Sequence, residues 1–150
     1  MELLNIDIGI KSYQLVEGGA PLTFNAGDPN VYARYMEAMD KIKAVEKEMS
    51  GKANSIDASG ENAGEESLKI MYETDRRMKA ILNGIFGRPN DFEEILRGVS
   101  LMAVTANGDR VVNKVLEALS PIMQNGAKAC AEIEVKEAKL NREQRRALGV

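Results

Sequence analysis

Near the start of the chain, apolar residues occupy every second position. In the stretch LLNIDIGI the even positions from 4 to 10 are Leu or Ile, whereas the odd positions from 5 to 9 are Asn, Asp and Gly. This period of two is typical of a strand with one buried face. SYQLV follows as the expected partner, and GIKS and EGGAP supply the Gly and Pro that tight turns use. We expect an antiparallel hairpin or three-stranded meander over residues 3–24, with an apolar face that needs a helix or another subunit to cover it.

At Asp28-Pro29 the spacing of the apolar residues changes from every second position to the spacing of a helix. Asp28 can accept hydrogen bonds from the first free N–H groups of a helix, and Pro29 suits the first helical position because no N–H is needed there. The apolar residues that follow are spaced alternately by four and three positions: Val31, Tyr35, Ala38, Ile42, Val45 and Met49. We expect a long helix that packs through one narrow seam.

A second helix is predicted from about Glu65, after a segment at 50–64 that is rich in Gly, Ser and Asn. That composition is typical of a flexible, solvated loop or of a frayed helix end. Its seam consists of Leu68, Met71, Met78, Leu82 and Ile85, widened by Tyr72, Ile81 and Phe86. Asp75 lies in the middle of this seam. The sequence leaves two interpretations open, a partly exposed carboxylate paired with a nearby Arg or Lys, or a polar residue that fixes helix register.

Gly87 and Pro89 are expected to end the second helix, and Asp91 with Glu94 three residues later predicts a new helix start. The third helix is expected to carry Phe92, Ile95, Leu96, Val99, Met102 and Ala103. Gly108 suits the left-handed position past the end of that helix.

A fourth helix is predicted from about Asp109, and Pro121 predicts a kink or break near Ser120. Its broad apolar face consists of Val111, Val112, Val115, Leu116, Leu119, Ile122 and Met123. Beyond it the apolar pattern weakens and the chain becomes basic.

These elements predict a mainly helical α+β fold, in which an N-terminal β-hairpin or short meander precedes a bundle of four to five helices. We expect a β-hairpin region at 1–27, a helical bundle at 28–135 with its flexible loop near 50–64, and a basic C-terminal tail at 136–150. The length of 150 residues suits one domain, and seven aromatic residues without Trp leave the core mainly to aliphatic side chains and Met.

The charge balance argues against a surface built mainly to hold nucleic acid, because 20 basic residues face 23 acidic ones. Residues 136–150 nevertheless carry five basic side chains against two acidic ones. Within them Arg142, Arg145 and Arg146 are candidate contacts for nucleic acid or an acidic partner. A solvated tail is the commoner outcome, and no aromatic residue is interleaved to stack on bases.

The sequence shows neither a signal-peptide pattern nor an apolar run long enough to span a bilayer, so we expect a cytosolic protein without membrane association. Cys130 is the only cysteine, which excludes an internal disulfide. Flanked by Ala129 and Ala131, Cys130 is predicted to be a small buried hydrophobic residue rather than a nucleophile.

Catalytic chemistry has little support in the residue types. His is absent, and no EF-hand, phosphate-binding loop or nucleophile elbow occurs. We therefore predict no enzyme activity, no cofactor and no metal, although folding could still bring two carboxylates together.

Recognition of other proteins is better supported, because eight Met residues are present and several lie on helical seams. The candidate protein-binding residues are Val31, Tyr35, Met39, Ile42, Met71 and Met78. The alternative for the methionines is that they fill gaps in the core.

Three stretches, NIDIGIKSYQLV, LTFNAGDPNVYARYMEAMDKI and RRMKAILNGIFGRP, resemble a family of tail assembly chaperones encoded by siphophages and prophages of Gram-positive bacteria. The resemblance covers roughly residues 3–123 and includes the Phe24–Pro29 helix start and the Gly84–Pro89 helix stop. It implies a non-catalytic protein of the host bacterial cytoplasm that binds and solubilises the phage tape measure protein, or another tail protein, before the tail tube polymerises. It also implies self-association along that client.

Two other functions remain compatible with the sequence. A tail completion or connector protein would share this composition but would remain in the virion. A small DNA-binding or regulatory phage protein would instead use the basic C-terminus.

Overall fold

Two short strands and four helices follow one another within residues 1–149, which the computed structural model describes. They are β1 (Lys11–Tyr13), β2 (Leu22–Phe24), α1 (Pro29–Asn54), α2 (Ala63–Phe86), α3 (Phe92–Ile95) and α4 (Val111–Ala147). The predicted mainly helical α+β fold with an N-terminal hairpin is confirmed.

The hairpin is shorter than the alternating pattern predicted. β1 and β2 pair antiparallel with Ser12 opposite Thr23, but residues 1–10 form no strand. Gly9 adopts a left-handed backbone with φ of 73°, and its N–H donates to the Asp7 side chain at 2.8 Å, so the chain turns there. The expected strand at 3–10 is therefore wrong, because alternation makes a strand only where a neighbouring strand is present to pair with it.

α1 begins as predicted, since the Asp28 side chain accepts a hydrogen bond from the Asn30 N–H at 2.9 Å and Pro29 is the first helical residue. All residues of its predicted seam are buried except Met49, which is half-buried. The helix continues to Asn54, so the first five residues of the segment at 50–64 are a helix end and the loop to α2 spans only 55–62.

α1 and α2 pack together as a helical hairpin, and the β-hairpin joins the same core. A chain of aromatic contacts makes this connection: the ring centroid of Phe24 lies 4.6 Å from that of Phe86, which lies 6.0 Å from that of Phe92. The first turns of α2 extend beyond this core. Leu68 and Tyr72, predicted to lie on the buried seam, are therefore exposed.

The third helix is a single turn and not the predicted 12-residue helix. α3 starts at the Asp91 cap as predicted but stops at Ile95, and Arg97 and Gly98 then take positive φ values. Leu101 is buried in the core all the same, and its N–H donates to the buried Asp75 carboxylate and not to a helical carbonyl. Gly108 lies in the turn between the bridged residues Val104 and Arg110 and does not end a helix.

α4 starts two residues after the predicted position and continues through Pro121 without the expected break. Pro121 removes one N–H from the helix, while the buried Leu119 and Met123 hold the helix on the core on both sides of it. From residue 124 to 147 no side chain is buried, so the second half of α4 projects from the body and includes most of the predicted tail. Across residues 1–149 we find no helix with the length and apolar character that crossing a membrane requires.

Candidate protein-binding surface

The most exposed apolar segment is the N-terminal arm, which we define as residues 3–8. Leu4, Ile6 and Ile8 keep 79%, 74% and 66% of their surface exposed. One hydrogen bond fixes the base of the arm, in which the Asn25 side-chain amide donates to the Ile8 carbonyl at 3.0 Å. A run of large aliphatic side chains in water is unfavourable, so the arm is a candidate contact for another protein.

One edge of the two-stranded sheet is closed by a side chain. The Thr23 N–H donates to Asn90 Oδ1, and Asn90 Nδ2 donates to the Thr23 carbonyl, both at 2.8 Å. Asn90 is buried and takes the place that a third strand would occupy beside β2. Pairing with further chains is therefore blocked on the β2 side.

The opposite edge of the sheet is open. Because the backbone groups of Thr23 point toward Asn90, Thr23 and Ser12 form a non-hydrogen-bonded pair. The N–H and C=O of Ser12 must then point away from β2, and Ser12 is exposed. β1 thus presents an unpaired strand edge on the side away from β2.

A shallow groove of about 380 Å³ lies between this hairpin and α4. It is lined by Gly9 and Tyr13 on one side and by Ile122 and Ala129 on the other, and Lys11 is the only charged residue in its lining. Gly126 forms part of the wall, where a Cβ atom would overlap the carbonyl oxygen of Ala26. The absence of a side chain at this position is what lets α4 approach the hairpin so closely.

An apolar stripe continues from this groove along the projecting half of α4. At 3.6 residues per turn, the spacings of four, three, four and seven residues place one set of side chains on one face of the helix. The set is Ile122, Gly126, Ala129, Ile133 and Leu140, and the charged Glu137 lies on the same face between the last two. Ile133 and Leu140 are 58% and 55% exposed, so the outer part of the stripe has no packing partner within residues 1–149.

Cys130 lies in a neighbouring groove of about 540 Å³, between the start of α1 and the middle of α4. Asp28, Lys128 and Glu134 supply the charges of its lining, and Tyr32 supplies an aromatic ring. Cys130 is half-buried, so the prediction of a buried residue was only partly right.

The six candidate protein-binding residues are mostly occupied inside the chain. Val31, Tyr35, Ile42 and Met78 are at most 7% exposed and belong to the hydrophobic core. Met39 and Met71 are half-buried at the margin of that core. In the folded chain the seam therefore stabilises the helical hairpin, and the apolar surface open to a partner is instead the arm and the α4 stripe.

Two features of the sequence point to this exposed apolar surface, on the arm and on α4. The alternating run from 4 to 10 is longer than either strand and is interrupted by Gly9, which weakens a strand interior. On α4, the spacing of Ile133 and Leu140 continues the line of Ile122, but the surrounding charges obscure it.

The basic end of the chain lies on the last turns of α4. Arg142, Arg145 and Arg146 are exposed, as are the other side chains from 131 to 147. These three arginines therefore lie on a solvated part of the helix, at least eight residues after the last α4 residue that lines either groove.

Asp75 belongs to a buried polar cluster that links α2 to the segment around α3. Its carboxylate lies 3.2 Å from Lys79 Nζ and accepts the Leu101 N–H at 2.7 Å, and Lys79 Nζ also lies 2.7 Å from Glu93 Oε2. Asp75 is paired with a Lys as one interpretation predicted, but it is buried and not partly exposed. Since each charge is paired, the cluster fixes the position of the chain after α3.

Perturbed ionisable groups occur on the surface outside both grooves. A hydrogen bond of 2.6 Å from Arg77 lowers the pKa of Glu48. Hydrogen bonding to Asp109 and the charge of Glu117 raise the pKa of Lys114. Among residues 1–149 no group of three His, Cys, Asp or Glu side chains is placed to hold a metal ion.

Comparison with known proteins gives no further guide, because no family model, no curated protein and no solved structure matches the chain significantly.

Proposed function

We propose that this chain is a non-catalytic tail assembly chaperone that binds a phage tape measure protein before the tail tube polymerises. The observation that supports it most directly is the apolar surface left open by the folded chain, on the arm and on the outer α4 stripe. The resemblance of residues 3–123 to tail assembly chaperones supplies the identity of the client.

The outer stripe suits an extended helical client. Ile133 and Leu140 are seven residues apart on one face of α4, which is the spacing at which two helices pack side by side. A client helix with its own apolar line could lie along this face. The stripe offers few large side chains, so each contact is weak and tail-tube subunits can displace the chaperone.

Co-expression with the tape measure protein tests the proposal. We expect the wild-type chain to keep the tape measure protein in the soluble fraction and the Ile133→Gln/Leu140→Gln variant to lose most of this effect. Val135→Gln is the matched control, since it removes an exposed apolar side chain on the opposite face of the same helical segment. Equal solubility of the client with and without this chain would refute the proposal.

A tail completion or connector protein could use the same surface. The two functions differ in whether the protein remains in the assembled phage particle. A chaperone should be absent from purified phage particles, whereas a connector should be present in a fixed number of copies. Mass spectrometry of assembled particles separates them, and finding the chain at stoichiometric level would contradict the chaperone proposal.

A further inference from the structure

The N-terminal arm and the open edge of β1 are two unsatisfied features of the same subunit. The arm has the alternation of a strand but no strand beside it, and Ser12 has outward backbone groups but no neighbouring strand. The other edge of the sheet is already closed by Asn90. A strand added to this sheet can therefore be placed only beside β1.

The arm of the same chain is held away from that edge. Its base is tied to Asn25, which directly follows β2, through the hydrogen bond between the Asn25 amide and the Ile8 carbonyl. β2 lies on one side of β1 and the open edge lies on the other. Only two residues separate Ile8 from β1, so the arm cannot cross to the open edge without breaking this bond.

The chemistry of the arm fits the edge and the groove beside it. Glu2, directly before the arm, shares the face of the even-numbered side chains and is acidic, and Lys11 is the only charge in the groove lining. The even-numbered side chains of the arm are aliphatic, and the α4 wall of the groove presents Ile122 and Ala129. An added strand could bury its apolar face on α4 while its backbone pairs with Ser12.

We propose that the arm of one copy adds as an edge strand to β1 of a second copy. Leu4, Ile6 and Ile8 would then face the groove and α4 stripe of the receiving subunit, and Glu2, on the same face of the strand, would lie on the side of its Lys11. This inference deepens the proposed function by naming how copies of the chaperone associate. It rests on the proposed function only for the biological role of that association. Its test needs no tape measure protein, so either proposal can fail while the other stands.

Matched substitutions in the exposed arm provide the first test, with the association constant measured by sedimentation velocity over a range of protein concentrations. We expect Ile6→Lys to lower the association constant about tenfold or more, because it removes a buried aliphatic side chain from the interface. Asn5→Lys adds the same charge one position away, on the opposite face of the strand, and should change the constant much less. Equal effects of the two substitutions would overturn the proposal.

The receiving edge is tested by Ser12→Pro, which removes the outward N–H, against Ser12→Ala, which keeps it. We expect the Pro variant to associate about tenfold more weakly than the Ala variant, as expected for a lost interface hydrogen bond. Circular dichroism of both variants verifies that each is folded. If the Pro variant does not fold, the decision rests on the Ile6 and Asn5 pair.

Hydrogen exchange of the wild-type chain gives a readout that locates the contact. We expect the amides of residues 4–8 and of Ser12 to become protected as protein concentration rises. Protection of the arm in a chain that remains monomeric would show that it folds back on its own subunit. Self-association with an unprotected arm, or a monomer with an unprotected arm at all concentrations, would equally overturn the proposal.

Discussion

At the scale of single residues, Asn90 has the most consequential position in the chain. Its amide satisfies both backbone groups of Thr23 and also lies 3.4 Å from the Phe86 carbonyl. One side chain thus closes a sheet edge and joins the hairpin to the end of α2. Only a side chain with a donor and an acceptor at the same end can do this.

Replacing Asn90 should therefore destabilise the fold. We expect Asn90→Ala to lower the free energy of unfolding by about 2 kcal/mol, because it leaves two partly buried backbone groups of Thr23 without partners. Asn90→Asp should be at least as harmful, since it places a carboxylate against the Thr23 carbonyl. Urea denaturation measures both, with Asn5→Ala as the control on an exposed Asn. An unchanged midpoint for Asn90→Ala would contradict the bridging role.

Asp75 is the second residue whose substitution should have a large effect. Asp75→Ala leaves the Leu101 N–H without its acceptor and removes one of the two carboxylates beside Lys79, so we expect a loss of about 3 kcal/mol. Asp75→Asn keeps an acceptor for Leu101 and should lose less. Chemical denaturation of the single variants and of Asp75→Ala/Lys79→Met measures the coupling, and additive effects would show that the two side chains do not interact.

A surface ion pair provides the comparison for this buried cluster. Glu48 and Arg77 are hydrogen-bonded at 2.6 Å, but both are about half exposed. Arg77→Ala should raise the pKa of Glu48 back toward its ordinary value and leave the unfolding midpoint almost unchanged. The contrast with Asp75 separates the effect of burial from the effect of charge pairing alone.

At the scale of elements, the close contact between α4 and the hairpin depends on Gly126. The helix itself would favour Ala by about 1 kcal/mol. A Cβ atom at this position would nevertheless overlap the backbone of Ala26, which cannot rotate away as a side chain can.

Gly126→Ala should thus destabilise the protein by about 1–3 kcal/mol in spite of the better helix propensity. Gly51→Ala is a suitable control, since Gly51 is also within a helix and a Cβ there would meet no atom within 4 Å. We expect Gly51→Ala to be neutral or slightly stabilising in thermal denaturation. If both variants behaved alike, the packing of α4 against the Ala26 backbone would not limit stability.

At the scale of the whole molecule, a packed body carries a projecting helical half and a free arm. The core draws on the hairpin, α1, α2, the segment around α3 and the first half of α4. The second half of α4 adds no buried side chain. Local stability should therefore be unequal along the same helix.

Hydrogen exchange of the monomer should show two levels of protection in α4. We expect the amides of residues 115–120, 122 and 123 to exchange only through global unfolding. Those from 132 to 147 should exchange much faster, because an isolated helical segment is marginal in water. A bound client or a second copy covering the stripe should slow the second group. Uniform protection along α4 in the monomer would contradict this description.

The sequence determined the elements whose signals are local. The Asp28 cap with Pro29, the α1 seam, the stop at Gly87 and the Asp91 cap depend on neighbours within one or two helical turns, and each occurs where predicted. Such features need no distant contact to form, so periodicity and capping residues suffice to identify them.

Tertiary contacts decided what these elements do. The alternating residues before Gly9 form no strand because none lies beside them. α3 stops after one turn because Arg97 and Gly98 take positive φ values, and the hydrogen bond from the Leu101 N–H to Asp75 holds the segment that follows on α2. Burial likewise assigned the α1 seam to the core and left the arm and outer α4 stripe exposed. A linear pattern shows which side chains are apolar, but only the packed chain determines which of them remain open to a partner, because burial depends on residues that are far apart in sequence.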